Sequence, residues 1–323
     1  MTRHIVVPTR ASGALTGPLV SVAPVAFPSE GRPAELQVRV TAPVTEHALP
    51  VVVLSHGHGP SQYASSLYGY ASLANYLAAS GFAVLQPTHL DSMTLGLRDA
   101  PATEAPLYWR SRARDVSLVL DHLDVLTDVL PAVAGRLDVA NVAVVGHSMG
   151  GHTAGMVLGS RPRDPATGQR VDARDARVRA GVMMAAPGRG GDALSPGAAN
   201  HYPVLSDTDF STMLSPTLVI AGDQDHARHL NVVGAEWQTD AYRLAPGPKF
   251  LLAVHGGEHS LGGIAGYDVA ETTDEDLPRA AMVMRMTAAF LRTQLGVDSG
   301  AWAREVDWLR SEPAHTATVS EKC

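Results

Sequence analysis

The sequence predicts an α/β fold built on a mostly parallel sheet of eight strands, with helices on both faces. Apolar, β-branched runs alternate along the chain with stretches of helical periodicity, which is the pattern of consecutive strand–helix units. Several runs are apolar throughout, as strands covered by helices on both faces must be. Polar, glycine-rich segments directly follow several of these runs, at the position where open α/β sheets bind ligands.

Eight runs are predicted to be strands. The first two, at 19–27 and 36–44, are β-branched and bounded by proline and glycine, and the second alternates as an outer antiparallel strand would. The other six are short and largely apolar, and we expect them to form the parallel part of the sheet. They cover residues 50–55, 82–87, 142–145, 180–185, 215–221 and 249–254.

Helical periodicity separates these strands. An amphipathic helix is predicted to begin near Trp109, because apolar residues recur at i, i+3, i+4 and i+7 from Val116 to Leu123. A last long helix is predicted after Pro278, a residue type common in the first turn of helices. Further helical patterns follow the third strand near 70–77, follow the fifth strand, and cover 302–309.

We expect residues 1–323 to form a single domain with a core over about 18–296. The segment 88–107, which contains His89, Asp91 and Ser92, is long for a connection and is expected to shape a pocket. The segment 187–213 is expected to cross the sheet edge as a small lid at most. Residues 311–323 are expected to be frayed.

Composition excludes several classes of function. The net charge is −7, which gives no basic footprint for nucleic acid. Cys323 is the one cysteine, so a disulfide framework and a structural cysteine–zinc site are excluded. No apolar run approaches the length of a membrane span, and residues 1–8 lack the apolar core of a signal peptide. We therefore expect a cytoplasmic protein that acts on a small molecule, with its oligomeric state left open.

The segment Val142–Gly151 carries the candidate nucleophile. An apolar run ends at Val145, Gly146-His147-Ser148-Met149-Gly150 follows as a G-x-S-x-G pattern, and a helix is predicted next. This strand–turn–helix context is typical of a nucleophile elbow. Glycines two residues before and after the serine remove side chains from a tight turn, and the helix directs its positive end at the reaction centre. Ser148 is therefore predicted to be a catalytic nucleophile.

A serine nucleophile needs a histidine base oriented by a carboxylate. Asp225 follows the strand predicted at 215–221, and His259 follows the strand predicted at 249–254. Both come after Ser148 in the order Ser, Asp, His that accompanies a nucleophile elbow. We assign His259 as the base and Asp225 as the acid, with Asp223 and His255 as the competing candidates.

The segment His56–Gly59 is predicted to complete the site. An acyl-transfer site needs two donors aimed at the oxyanion, and we assign the backbone amides of His58 and Met149. His56 and His58 could also be metal ligands, with His255 and His259 as a second pair. No carboxylate cluster accompanies these histidines, so we predict neither a metal nor a cofactor.

Several pieces of the sequence resemble the α/β-hydrolase superfamily, and within it the branch of predicted dienelactone hydrolases, platelet-activating-factor acetylhydrolases and cutinase-like polyesterases. The resemblance covers residues 18 to 296 approximately and implies the α/β-hydrolase fold and hydrolysis of carboxylic esters. Dienelactone hydrolases carry a cysteine nucleophile where Ser148 stands here. The matching pieces are Leu54–Gly59, Gly81–Val84, Arg112–Val116, Gly146–Gly151, Asp223–Asp225, Gly257–His259 and Ala289–Leu291.

The leading expectation is a serine carboxylic ester hydrolase that acts through an acyl-enzyme. A thioesterase or acyltransferase is the first alternative, and a basic patch from Arg110, Arg112 and Arg189 would favour it. A non-catalytic binding protein of the same fold is the second. An apolar acyl pocket is expected to draw on Tyr63, Trp109, Met183, Met184 and Tyr202.

Overall fold

A nine-stranded, mostly parallel sheet organises the protein. The computed structural model describes residues 17–59, 61–266, 269, 273–312 and 316–323. In this part of the chain the strands lie in the order β1-β2-β4-β3-β5-β7-β9-β10-β11. The strands of this sheet are β1 (Leu19–Phe27), β2 (Leu36–Pro43), β3 (Leu49–Ser55), β4 (Ala83–Pro87), β5 (Leu137–His147), β7 (Val178–Met184), β9 (Thr217–Gly222), β10 (Lys249–Val254) and β11 (Ala317–Lys322). A separate two-stranded sheet pairs β6 (Arg161–Pro162) with β8 (Thr208–Asp209).

Parallel pairing runs from β4 to β10, and antiparallel strands lie at both edges. Strands β3, β5, β7 and β9 pair in parallel with their neighbours, whereas β1, β2 and β11 pair antiparallel. The carboxyl ends of the parallel strands therefore meet at one edge of the sheet, where open α/β sheets bind ligands. The loops after β3, β5, β9 and β10 carry the predicted catalytic groups to this edge.

The sheet is covered on both faces because its central strands are apolar on both sides. Val51 and Val53 of β3 pack into one hydrophobic cluster, and Val52 and Leu54 pack into the other. Helices α2 (Trp109–Asp121), α3 (Val125–Val129), α4 (Met149–Leu158) and α6 (Asp240–Leu244) contribute to the first cluster. Helices α1 (Ala71–Ala79), α7 (Leu277–Gln294) and α8 (Ala301–Ser311) contribute to the second. None of the helices in the described ranges is long and apolar enough to cross a membrane.

The expected eight strands were one too few. All eight predicted runs occur in the main sheet, and a ninth strand, β11, comes from the segment 311–323 that was expected to be frayed. Residues 313–315 of that segment lie outside the described residues. Strand β11 pairs along its whole length with β10, and Trp302 of α8 donates to Glu321 at 2.7 Å. The sheet edge thus gives these residues hydrogen-bond partners that their own sequence does not reveal.

The segments 88–107 and 187–213 are irregular connections that contain a few short elements. The segment 88–107 contains one 3-10 turn at Met93–Leu95, and His89 and Asp91 within it are fully buried. The segment 187–213 contains helix α5 (Pro196–His201), two 3-10 turns and β8. Leu194, Leu205 and other apolar residues of this second segment belong to the first hydrophobic cluster.

Candidate active site

The turn between β5 and α4 holds Ser148 in a strained conformation. Its φ is 56° and its ψ is −123°, a region that residues other than glycine rarely occupy. A Cβ on Gly146 would lie 2.0 Å from the carbonyl oxygen of Gly150, and a Cβ on Gly150 would lie 2.0 Å from that of Ser55. Side chains at these two positions are therefore excluded, as the G-x-S-x-G pattern predicts.

Ser148, His259 and Asp225 form an unbroken chain of hydrogen bonds. Nε2 of His259 lies 2.9 Å from Oγ of Ser148, and Nδ1 of His259 lies 2.8 Å from Oδ2 of Asp225. A carboxylate only accepts, so Nδ1 carries the proton and Nε2 is free to accept the serine proton. Ser148 and His259 are 111 residues apart in the sequence, and Asp225 and His259 are 34 apart. They meet because β5, β9 and β10 end at the same edge of the sheet.

The competing acid and base lie apart from Ser148 and pair with each other. Nδ1 of His255 lies 3.1 Å from Oδ2 of Asp223, and the Gly256 amide donates to the same carboxylate. The Asp223 side chain is 40% exposed, whereas that of Asp225 is 1% exposed. A carboxylate in water orients and polarises a histidine less strongly than a buried one. The geometry therefore connects Asp225, and not Asp223, to the serine.

Asp225 also influences the ionisation of His259. Burial lowers the pKa of His259, but the hydrogen bond and the negative charge of Asp225, together with the charge of Asp274, outweigh this effect and raise the pKa above its ordinary value of 6.5. The neutral form, which can accept the serine proton, therefore predominates only above that raised pKa.

The loop His56–Gly59 lies directly against Ser148. A Cβ on Gly57 would lie 3.4 Å from the Cβ of Ser148, so glycine allows this close approach. Three contacts fix the loop: Arg112 donates to the carbonyl of His56, the ring of His56 bonds the carbonyl of Gly57, and the Gly57 amide donates to the Tyr70 hydroxyl. The amides of His58 and Met149 make no hydrogen bond to any residue in the described ranges. Both remain available as oxyanion donors.

Tyr70 and His147 connect this loop to His259, and neither was predicted as a site residue. The Tyr70 hydroxyl lies 2.8 Å from Nδ1 of His147, whose Nε2 lies 2.7 Å from the carbonyl oxygen of His259. Because that carbonyl only accepts, Nε2 carries the proton and Nδ1 accepts from Tyr70. Burial lowers the pKa of His147 to about 3, so its ring stays neutral. No sequence signal distinguishes Tyr70 from an ordinary core tyrosine.

A fully buried ion pair supports the loop from behind. Arg112 of α2 pairs with Asp91, and its Nε donates to Thr153 of α4 at 2.9 Å. Asp91 also accepts from Nδ1 of His58 at 2.7 Å. Burial raises the pKa of Asp91, but Arg112 and the two nearby histidines hold it well below its ordinary value. The sequence holds one signal that could have revealed this network, since Arg112 lies four residues before Val116 and so on the apolar face of the predicted helix.

A second Ser–His–Asp arrangement lies inside the protein. Oγ of Ser55 lies 2.8 Å from Nε2 of His89, and Nδ1 of His89 lies 2.9 Å from Asp115, which also pairs with Arg32. The serine, the histidine and the aspartate are buried. With no access for a substrate, this array holds the end of β3 and the segment after β4 together.

The histidines considered as metal ligands have other partners. The ring of His56 bonds the carbonyl of Gly57 through Nδ1, and its Nε2 accepts from the His89 amide at 3.1 Å. Burial, together with Arg112 and His89, lowers the pKa of His56 well below its ordinary value. Across the described ranges, no group of three or more His, Cys, Asp or Glu side chains is arranged around a common point.

Ser148 and His259 open into a cavity of about 690 Å³. This volume is within the usual range for small-molecule sites. The loop at 224–230 after β9 contributes much of the wall, including three exposed polar side chains, His226, Arg228 and His229. The aliphatic residues that line the cavity are Ala64, Leu107, Met149, Pro187, Leu205, Ala227, Leu230, Ala265 and Val269.

Of the five predicted pocket residues, Tyr202 lines this cavity, and the other four lie outside it. Met183 and Met184 are alternate residues of β7, so they point into the hydrophobic clusters on opposite faces of the sheet. Trp109 packs into the first cluster under the guanidinium of Arg110, and Tyr63 is 39% exposed outside the cavity.

The three arginines that would have formed a basic patch also lie away from the cavity wall. Arg112 is fully buried in its pair with Asp91. Arg110 pairs with Asp164 and Glu104, and the Arg189 amide donates to Asp240. The arrangement that would favour a thioesterase is therefore not formed by these residues.

A scan of the chain against protein-family models gives no match, and a search of curated proteins finds no similar sequence.

Proposed function

We propose that this protein is a serine hydrolase of the α/β-hydrolase superfamily that cleaves carboxylic esters through an acyl-enzyme. The observation that carries the proposal is the hydrogen-bond chain from Ser148 through His259 to Asp225 on the wall of one cavity. Nucleophile, base and orienting acid are each within hydrogen-bond reach of the next, as nucleophilic catalysis requires.

The acylation step uses Ser148 and His259. As Oγ of Ser148 forms a bond to the ester carbonyl carbon, Nε2 of His259 takes the hydroxyl proton. The carbonyl oxygen becomes an oxyanion, and the amides of His58 and Met149 donate to it. The tetrahedral intermediate then expels the alcohol, which takes the proton back from His259, and the acyl group stays on Ser148.

Deacylation repeats these steps with water. His259 removes a proton from a water molecule as its oxygen bonds to the acyl carbon, and a second oxyanion forms. Its collapse breaks the bond to Oγ of Ser148, which regains a proton from His259, and the carboxylic acid leaves. Asp225 stabilises the protonated imidazole in both steps and keeps its charge.

The strained turn and the fixed loop support the same proposal. Ser148 has a φ of 56° directly before α4, whose amino end lies at the site of the oxyanion. The loop His56–Gly59 is held by Arg112 and Tyr70, so its free amide does not need to reorganise during the reaction. The order of Ser148, Asp225 and His259 along the chain and their positions after parallel strands are those of α/β-hydrolases.

Active-site labelling and ester hydrolysis test the proposal together. A fluorophosphonate probe is expected to label the wild-type protein and not the Ser148→Ala variant. Hydrolysis of nitrophenyl butyrate should fall by roughly 10⁴- to 10⁶-fold in Ser148→Ala, because the triad acts as a unit.

Ser55→Ala is the matched control, because Ser55 has a similar hydrogen-bond partner but is buried. Labelling that survives Ser148→Ala would reject the assignment of the nucleophile. A protein that is neither labelled nor active would favour the non-catalytic alternative, and thioester turnover far above that of matched oxyesters would favour the thioesterase.

A further inference from the structure

We infer that the cavity contains a subsite for a hydroxyl group, formed by the side chains of His58 and Tyr202, and that the preferred substrates are hydroxylated esters. The inference rests on the proposed ester hydrolysis and adds a substrate class to it. Both side chains line the cavity of Ser148, and their rings meet edge to face with centroids 6.3 Å apart.

The His58 ring is held in one orientation and presents one nitrogen for a ligand. Its Nδ1 lies 2.7 Å from Asp91, which is fully buried and paired with Arg112. Because the carboxylate accepts, Nδ1 carries a proton, and Nε2 can take a second hydrogen-bond partner from a ligand. In the described ranges, no residue hydrogen-bonds this Nε2. The atom is not fully buried, so a ligand can reach it.

The hydroxyl of Tyr202 is the second polar group of the subsite. Tyr202 follows α5 in the segment 187–213, and its ring packs against the first hydrophobic cluster. Its hydroxyl has no hydrogen-bond partner among the residues that the structure describes, and it is not fully buried. A tyrosine hydroxyl can both donate and accept.

The chemistry of these two groups selects the ligand. Nε2 of His58 can form one hydrogen bond with a ligand, and Oη of Tyr202 offers a donor as well as an acceptor. A hydroxyl group satisfies both, because it donates one hydrogen bond and accepts another, whereas a methyl group of the same size satisfies neither.

The subsite is also better organised than the polar side chains that the loop after β9 brings to the cavity. His226, Arg228 and His229 are exposed on the loop after β9. The His58 side chain, by contrast, is 13% exposed and its Nδ1 is anchored to a buried carboxylate. A preorganised side chain loses less entropy when it binds, so it discriminates more strongly between ligands.

Two pairs of esters, each differing by hydroxyl against methyl, test the inference. On the acyl side, nitrophenyl 3-hydroxybutyrate is compared with nitrophenyl 3-methylbutyrate. On the alcohol side, 2-hydroxyethyl butyrate is compared with propyl butyrate. The readout is the ratio of kcat/KM within each pair, measured for wild type, Tyr202→Phe, His58→Phe and Tyr63→Phe, so that differences in intrinsic reactivity cancel between variants.

In one of the two pairs, the ratio of hydroxylated to methylated ester is expected to fall about three- to tenfold in Tyr202→Phe and in His58→Phe, the range for loss of one hydrogen bond. That pair also identifies the side of the ester that carries the hydroxyl. Tyr63→Phe, which removes a tyrosine hydroxyl outside the cavity, should leave both ratios unchanged. Tyr202→Phe leaves no buried group unpaired, so it remains informative if His58→Phe fails to fold.

Ratios that agree within about twofold across all variants, with the methylated esters still hydrolysed, overturn the subsite and leave the hydrolase intact. If wild type hydrolyses neither member of a pair and Ser148 is not labelled, the proposed function fails and the subsite fails with it.

Discussion

Ser148 stores backbone strain that a glycine-poor turn could not accommodate. A residue with φ near 56° costs roughly 1–3 kcal/mol, and it persists because β5 and α4 fix the chain on both sides. The Ser148 amide donates to the carbonyl of Met184 at 2.8 Å, which anchors the turn to β7. Ser148 therefore owes its position to β5, α4 and the neighbouring strand β7.

The two aspartates after β9 offer a direct test of the acid. Asp225→Asn should lower kcat by roughly 10³- to 10⁴-fold, because the amide no longer holds the imidazole in the correct tautomer. Asp223→Asn is the matched control, since that carboxylate pairs with His255 in solvent, and its effect should stay below about threefold. Steady-state kinetics of the two variants decide, and the larger loss in Asp223→Asn would transfer the role of the acid to that residue.

The raised pKa of His259 predicts the direction of the pH profile. The base works in its neutral form, so kcat/KM should rise with pH through a midpoint above the ordinary histidine value of 6.5 and be lost below it. Because Asp225 raises this pKa, the midpoint should move to lower pH in Asp225→Asn, in its residual activity. A midpoint that stays in place in the variant would contradict the assigned cause of the shift.

At the scale of elements, helix α2 fixes the loop His56–Gly59 through Arg112. Its guanidinium contacts Asp91, the carbonyl of His56 and Thr153, so one side chain connects the segment after β4, the loop after β3 and helix α4. All of these groups are buried, so each contact depends on the others remaining in place.

Removing this cation should destabilise the protein. Arg112→Met leaves Asp91 charged and buried, which should lower the free energy of unfolding by about 3–5 kcal/mol. Arg114→Met, on the exposed face of the same helix, should change it by less than about 0.5 kcal/mol. Urea denaturation measures both, and the double variant Arg112→Met/Asp91→Asn should recover part of the loss because the unpaired charge is gone. Equal effects of the two arginine variants would contradict this account.

At the scale of the whole molecule, β11 is the outermost strand of the sheet and covers the edge of β10. It covers β10 over six residue pairs, from Lys249↔Lys322 to Val254↔Ala317. Trp302 of α8, which bonds Glu321, packs edge to face against Phe250 and Phe290. The strand therefore connects the sheet edge to the helices of the second cluster.

Truncation after Thr316 should test this role of β11. The expected result is a lower Tm and a tendency to associate, because the unpaired edge of β10 becomes a template for pairing with another chain. Thermal unfolding and size-exclusion chromatography measure the two effects. A truncated protein with the Tm of the full chain would support the earlier expectation that this segment is frayed.

The sequence by itself predicted which residues the structure brings together at the edge of the sheet. Ser148, Asp225 and His259 each follow a locally recognisable apolar strand, and parallel strands deliver the residues after their carboxyl ends to one edge. The role of the glycines at 146 and 150 could be inferred from the sequence alone, because no residue with a side chain fits these two positions of the turn. A cytoplasmic location stays a prediction.

Only the tertiary structure decided what surrounds these residues. Met183 and Met184 resemble pocket residues in the sequence, but alternation along β7 buries them on opposite faces. Tyr70, Asp91 and Arg112 acquire their roles from partners up to 77 residues away along the chain. Strand β11 likewise exists because β10 offers it an open edge. Local patterns encode the strands and the polar residues that follow them, whereas the shape of the cavity and the contacts that hold the loop His56–Gly59 depend on long-range contacts that no local pattern contains.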